Sequence, residues 1–238
     1  MAVFWHLLLA HLLADFPLHT DYIYHKKISS PFTGLSVHGL VYLIALLVCC
    51  FPYLEMQWFT FAGIIFNGVE TVLLLTFIHM ASDYIDISDN HDLIGINALM
   101  FLSWQCIEIA VLFLVAPIVP QTIGVNLWLL KFIIILCGLI FVTYILMVLI
   151  HLFIKDFTRK NYPSFDERYI SMIYRSGLYM ALMLPSALGY ITALIWIACL
   201  FFVFTIKKVN FMSAKNIMGT ILAILIALFV RYLIYYVY

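Results

Sequence analysis

Charge is what this 238-residue sequence has least of: 10% of its residues are Asp, Glu, Lys or Arg, and acids and bases balance at 12 each. A soluble domain carries about a quarter charged residues, so an ordinary water-soluble fold is excluded. The neutral balance also lacks the basic footprint of a nucleic-acid binder, and no nucleic-acid partner is expected. The five cysteines, Cys49, Cys50, Cys106, Cys137 and Cys199, form no Cys-x-x-Cys pair. That indicates neither a disulfide framework nor a thiolate metal site, and they read as small buried hydrophobes. No Gly-rich phosphate loop, nucleophile elbow or nucleotide fingerprint occurs, which disfavours ATP, flavin and nicotinamide chemistry. The N-terminus lacks the basic start and the small-residue cleavage site of a signal peptide, so it reads as a retained first span.

What fills the chain is hydrocarbon. Hydrophobic residues make up 66%, with 20 Phe and 15 Tyr among them. Apolar runs recur at the length needed to cross roughly 30 Å of bilayer core. The expected fold is an all-α polytopic bundle of about eight spans, seven being possible, at 2–20, 36–54, 58–82, 95–118, 126–154, 168–185, 189–206 and 214–238. Only the stretch from Lys155 to Glu167 makes a longer polar loop, so residues 1–238 are expected to form one transmembrane domain. A tight turn is expected at Pro185-Ser186, one long kinked helix being the alternative. Terminal Tyr232, Tyr235, Tyr236 and Tyr238 fit an interfacial aromatic belt. Cytoplasmic loops favour Lys and Arg. With Lys26 and Lys27 inside, alternation through eight spans also puts Lys155, Arg159, Lys160, Arg168, Lys207, Lys208 and Lys215 inside. Both termini are then extracytoplasmic.

Two polar pairs interrupt this composition: His11 with Asp15, and His79 with Asp83. Residues i and i+4 share a helix face, and ionisable groups in hydrocarbon are functional candidates by default. The alternation of spans puts both pairs near the inner leaflet, with His38 in the first turn of span 2, and Gln105 and Glu108 along span 4. Glu167, Arg168 and Arg175 reach the same level on span 6. His19 is a weaker candidate for the cluster. His6, His25 and His151 read as packing or surface residues, and the acidic stretch Asp83 to Asp92, with Asp86, Asp89 and His91, as a solvated turn. Glu70 with Asn67, two and a half turns before His79, reads as a separate interhelical contact in mid-span.

The run His11-Leu12-Leu13-Ala14-Asp15-Phe16-Pro17-Leu18-His19-Thr20-Asp21, followed by Lys27 and His38, resembles the N-terminal signature of a bacterial membrane family, domain of unknown function 3307. His79 and Asp83 match its second His-x-x-x-Asp stretch, and Glu167-Arg168 a late Glu-Arg feature. His19 stands where the family has Gln, and Asp86 where it has Lys. Trp104-Gln105-Cys106-Ile107-Glu108 falls where the family has Asp-Gln-x-x-His, so Trp replaces Asp and Glu108 replaces His. The resemblance implies a helical protein of a bacterial cytoplasmic (inner) membrane and supports the position of the site; the family brings no established chemistry.

Imidazole with carboxylate is the usual donor set for zinc, manganese or iron. The expected ligands of a divalent ion, zinc or manganese first, are His11, Asp15, His38, His79 and Asp83. Glu108, as a general base or additional ligand, and Asp21 are the expected catalytic groups. Asp21, Lys27, Arg168 and Arg175 are also placed to bind an anionic head group or to orient ligands. The leading expectation is a metal-dependent membrane hydrolase acting on a lipid phosphate or similar amphiphile. The alternative is a transporter, channel or gated effector that binds protons, ions or a ligand at the same groups. A structural subunit is the third reading, with a second copy or a cytoplasmic protein as partner. The bland reading of each pair is interhelical hydrogen bonding.

Overall fold

A computed structural model describes residues 1–88, 97–118, 126–158, 165–206 and 214–238. Ten α-helices, one β-hairpin, a short 3-10 turn (Phe51–Tyr53) and two π-helical stretches make up the described regular structure. Helix α1 (Ala2–Asp15) stops where Pro17 follows, and Phe16 leaves helical geometry at φ −120°, ψ −79°; a residue before proline is pushed out of the α region. The short α2 (Asp21–Ser29) occupies what reads in sequence as a loop. Thr20 caps it by accepting from the Ile23 N–H at 3.4 Å, with Asp21 in its first turn and Lys26 and Lys27 in its last. Acids at a helix start and bases at its end suit the helix dipole. Pro31 opens α3 (Pro31–Cys50) at a position where no backbone donor is needed.

The expected third span, 58–82, is corrected in its first half. Residues there form a hairpin of β1 (Gln57–Phe61) and β2 (Ile64–Asn67), antiparallel with Phe61 opposite Ile64 and Phe59 opposite Phe66. Ala62 and Gly63 make the turn with φ of 51° and 82°, the two successive positive values of a tight hairpin turn. The Phe59 and Phe66 rings stack at 4.8 Å. Hydropathy could not separate strand from span, because an aromatic and β-branched strand is as apolar as a membrane helix. Helix α4 (Gly68–Ser88) therefore begins at Gly68. Asn67 Oδ1 accepts from the Glu70 N–H at 3.0 Å while Glu70 Oε2 accepts from the Asn67 N–H at 2.9 Å. This reciprocal cap replaces the expected mid-span contact.

The remaining helices are α5 (Asn97–Val115), α6 (Leu127–Ile140) running through a π-helical stretch (Phe141–Ile145) into α7 (Leu146–Thr158), α8 (Phe165–Met183), α9 (Ser186–Ile206) and α10 (Ala214–Tyr232). Each of the eight expected spans contains a helix, but four helical stretches among the described residues are long and apolar enough to cross a membrane: Pro31–Tyr53, Asn97–Val115, Leu127–Asp156 and Asn216–Val237. Ala2–Asp15 and Ser186–Phe202 are apolar but shorter. Helix α4 carries Glu70 and Asp83, and α8 carries Arg168 and Arg175, which lowers their apolar character. The all-α membrane class stands on these four helices.

The chain divides into two compact units, residues 1–95 with 100–133, and residues 96–99 with 134–238. In the first, Val3, Leu7, Ala10 and Ala14 line one face of α1 and bury themselves against Tyr42 and Leu46 of α3, Val72 and Leu75 of α4, and Leu112 of α5. His11 follows Leu7 by one helical turn, so the same face carries it inward. His6 is buried too, its Nδ1 2.9 Å from the Ala2 carbonyl. Two glycines bring the polar residues together. A Cβ at Gly39 would meet Met80 Sδ, so its absence lets α3 approach α4 where His38 and His79 sit. A Cβ at Gly34 would meet the Lys27 backbone, so α2 lies directly on α3.

In the second unit, α8 and α9 are separate helices joined at Pro185-Ser186, with Ser186 at φ 52°. Arg231 of α10 fastens that turn, donating to the carbonyls of Leu182, Leu184 and Ser186 at 2.8 to 3.0 Å. Asp156 of α7 accepts from the N–H groups of Asn97 and Ala98 at 3.1 and 2.9 Å, capping the start of α5. The Tyr232 and Tyr236 rings stack at 5.5 Å.

Candidate metal centre

All five expected ligands meet in the first unit. His11 and Asp15 come from the last turns of α1, His38 from α3, and His79 with Asp83 from the second half of α4. His11, His38 and His79 are fully or almost fully buried. Asp15 Oδ1 is 3.1 Å from His79 Nε2 and 3.4 Å from His38 Nε2, and those two nitrogens are 3.0 Å apart. Ligands of one tetrahedral zinc at about 2.0–2.1 Å are separated by roughly 3.3 Å. Asp83 Oδ2 extends this triangle, 3.5 Å from His38 Nε2 and 3.9 Å from His79 Nε2. Asp15 Oδ1 is buried yet in no aligned hydrogen bond, the relation expected of donors that converge on a third atom instead of on each other.

Glu108 of α5 completes the cluster by a different route. Its Oε1 takes the His79 Nδ1–H at 3.0 Å. The Ser82 hydroxyl donates to the same oxygen at 2.9 Å, and Gln105 Nε2 to Oε2 at 3.5 Å. A carboxylate on the outer nitrogen of a histidine fixes its tautomer and directs the other nitrogen inward. Glu108 is thus accommodated as a partner of His79. Tyr42 lies parallel to the His79 ring at 4.0 Å and holds it flat.

Two groups of His, Asp and Glu have ligand atoms near enough to share an ion: His11, Asp15, His79 and Glu108; and His38, His79 and Asp83. Lys27 enters from α2, its Nζ donating to Asp83 Oδ2 at 2.6 Å. This partly buried ion pair was not readable in the sequence, which placed Lys27 near the site to bind an anionic head group or to orient ligands but gave it no partner; the signal was the preceding Thr20-Asp21 cap, which makes 21–29 a helix with Lys27 on its buried side. Ser82 and Tyr42 were missed as well. Both lie a helical turn from a site residue, Ser82 three after His79 and Tyr42 four after His38.

Other candidates are placed differently. Asp21 is exposed in the first turn of α2, outside both ligand groups, so its expected catalytic role finds no support in the geometry. His19 borders the site with its ring 5.0 Å from that of His38. It sits between α1 and α2, and burial, with the Lys27 ammonium and His38 nearby, holds its imidazole down at about 4. His25 packs against Tyr24. Arg175 and His151 belong to the second unit. Asp89, His91, Asp92, Arg159, Lys160, Lys207 and Lys208 lie outside the described residues, as do the side chains of Asp86, Glu167 and Arg168.

No family model, characterised protein or solved structure matches this chain. Its function is therefore argued from the site.

Proposed function

We propose that this is a membrane-embedded, metal-dependent hydrolase, with a divalent ion held by Asp15, His38, His79 and Asp83. The observation that carries the reading is the triangle of Asp15 Oδ1, His38 Nε2 and His79 Nε2, three buried donors from three helices within 3.0 to 3.4 Å. Such an ion supplies a bound water acidic enough to act as a nucleophile near neutral pH. The chain's own groups do the rest. Glu108 orients His79, Tyr42 and the helix packing hold the ring, and Lys27 supplies positive charge beside the open side of Asp83. An ester or phosphoester of an amphiphile, entering from the bilayer, is the substrate class that suits a site buried among apolar helices.

Elemental analysis of protein purified without chelator tests this. A stoichiometric divalent ion, lost in His79→Ala and Asp15→Ala, is the expected result; absence of metal from the wild-type chain refutes the reading. One observation favours a second function. The Nε2 atoms of His38 and His79 are themselves within hydrogen-bond distance, so imidazoles and carboxylates could pass protons or ions. Proteoliposome flux that depends on Asp15 and Asp83 and on pH would favour that transporter or channel reading, and flux indifferent to both would remove it.

We further place the chain in a bacterial inner membrane with the site near the cytoplasmic leaflet, eight crossings and both termini outside. This rests on the distribution of Lys and Arg along the sequence and on the resemblance to domain of unknown function 3307. A cysteine introduced at Lys26 should be blocked only by reagents that reach the cytoplasmic side. Labelling from outside would reverse the orientation.

A further inference from the structure

We infer that the centre takes two divalent ions, with Asp15 as the bridging carboxylate; this rests on the proposed metal site and deepens it. The four groups assigned above leave His11 unused. That residue is wholly buried, and neither ring nitrogen has a hydrogen-bond partner. A buried imidazole with no partner is costly, and the packing of α1, buried along most of its length, has no need of one. His11 is nevertheless flanked by carboxylates on both sides. Its Nδ1 is 3.7 Å from Asp15 Oδ2 and its Nε2 is 3.6 Å from Glu108 Oε2. These separations are too long for hydrogen bonds; the two carboxylates face opposite ring nitrogens, of which an ion would take one, and His11, Asp15, His79 and Glu108 each offer a ligand atom within 4.8 Å of the others.

The two oxygens of Asp15 face different partners. Oδ1 belongs to the triangle with His38 and His79, whereas Oδ2 is the oxygen nearest His11. Glu108 divides in the same way, Oε1 receiving His79 Nδ1–H and Ser82 while Oε2 approaches His11. One position then takes Asp15, His38, His79 and Asp83. The other takes His11, Asp15 and Glu108. Ions bridged by one carboxylate in two-metal sites lie about 3.5–4 Å apart. The ligand chemistry this implies is an anionic phosphate group. Two divalent ions exceed the charge that the three carboxylates, partly offset by Lys27, can neutralise, and a phosphate oxyanion supplies the difference.

The test is a titration of the full-length chain in detergent, stripped with chelator and refilled with Mn2+. Two ions per wild-type chain are expected, and one in His11→Gln and in His38→Gln. One ion in the wild type overturns the two-ion inference and leaves the metal site standing. None overturns both. Two ions retained in His11→Gln overturn the assignment of His11. Electron paramagnetic resonance of the wild type needs no variant: loading should convert a six-line spectrum at one equivalent into an exchange-coupled one at two. Two equivalents of uncoupled six-line signal would refute the bridge. Inorganic phosphate, added as the probe, should bind at least tenfold more tightly to the doubly loaded chain than to the stripped one; equal binding refutes the phosphate assignment. Vesicles carrying an anionic phospholipid, compared with free phosphate, then tell a lipid head group from a soluble source.

Discussion

Replacing Lys27 by Met should make the metal-free protein weaker and its metal affinity higher. Lys27 Nζ lies 2.6 Å from Asp83 Oδ2, with side chains 11% and 21% exposed. At an effective dielectric of about 20 the bare attraction at that distance is roughly 6 kcal/mol. Desolvation removes most of it, and charge-assisted hydrogen bonds contribute about 1.5–3 kcal/mol net. Because Asp83 keeps some contact with its surroundings, about 2 kcal/mol is the fitting figure. Lys27→Met should therefore lower the stability of the stripped protein by about that much, since a carboxylate loses its partner. The same change leaves Asp83 free to bind an ion. A competition worth about 2 kcal/mol corresponds to roughly 30-fold in affinity. Isothermal titration with Zn2+ or Mn2+ measures the second quantity, and chemical denaturation in detergent with chelator the first. Lys27→Arg, which keeps the charge, should show neither effect in full. If affinity is unchanged or falls in Lys27→Met, Lys27 and the ion are not competing for Asp83, and its assignment as a ligand fails.

Two glycine substitutions should differ in cost. Gly34→Ala drives a methyl group into the Lys27 backbone and should cost about 1–3 kcal/mol, whereas Gly39→Ala meets only the flexible end of Met80 and should cost less; equal midpoints on denaturation would contradict the packing of α2 on α3. His19 gives a pH dependence. Its folded-state pKa of about 4 lies below the ordinary 6.5, so the unfolded chain binds the extra proton. Stability should fall as pH drops below 6.5 and the loss should level off below about 4. The stripped wild type compared with His19→Gln isolates this contribution, and parallel pH profiles for the two would refute it. Asn67→Ala should cost about 1 kcal/mol, as loss of a helix cap does. No loss on denaturation would argue against α4 starting at Gly68.

The site was more legible in the sequence than the fold around it. His11 with Asp15 and His79 with Asp83 stand out because each pair sits one helical turn apart among residues that are otherwise apolar, and the alternation of spans places His38 and Glu108 at their level. The hairpin at 57–67 was hidden because Trp58, Phe59, Ile64 and Ile65 satisfy a hydropathy window as well as a helix does; the signals that divide the two are local, the Ala62-Gly63 turn and the Asn67–Glu70 cap. The pairing of Lys27 with Asp83 was hidden for a related reason. A polar nine-residue helix with a good cap but no apolar stripe reads as a loop, and its one buried lysine is assigned inward only once α2 is seen to lie on Gly34. Asp21 lies exposed in the first turn of α2 and outside both ligand groups, a place where the helix dipole alone suits an acid.

Charge balance supplies the remaining constraint on what the site holds. Asp15, Asp83 and Glu108 bring three negative charges into a buried cluster, and Lys27 returns one positive charge. The remainder, two negative charges, is expensive among apolar helices. One divalent ion cancels it; without metal, the cluster reaches the same balance by taking up about two protons. The close approach of His38 Nε2 to His79 Nε2, at 3.0 Å, forbids protons on both facing nitrogens. Metal and protons compete for one deficit, so filling the first position should release close to two protons per ion. A calorimetric titration repeated in buffers of different ionisation enthalpy measures that number directly. Release near zero would mean that the stripped cluster holds no compensating protons and would refute the competition between metal and protons for this deficit.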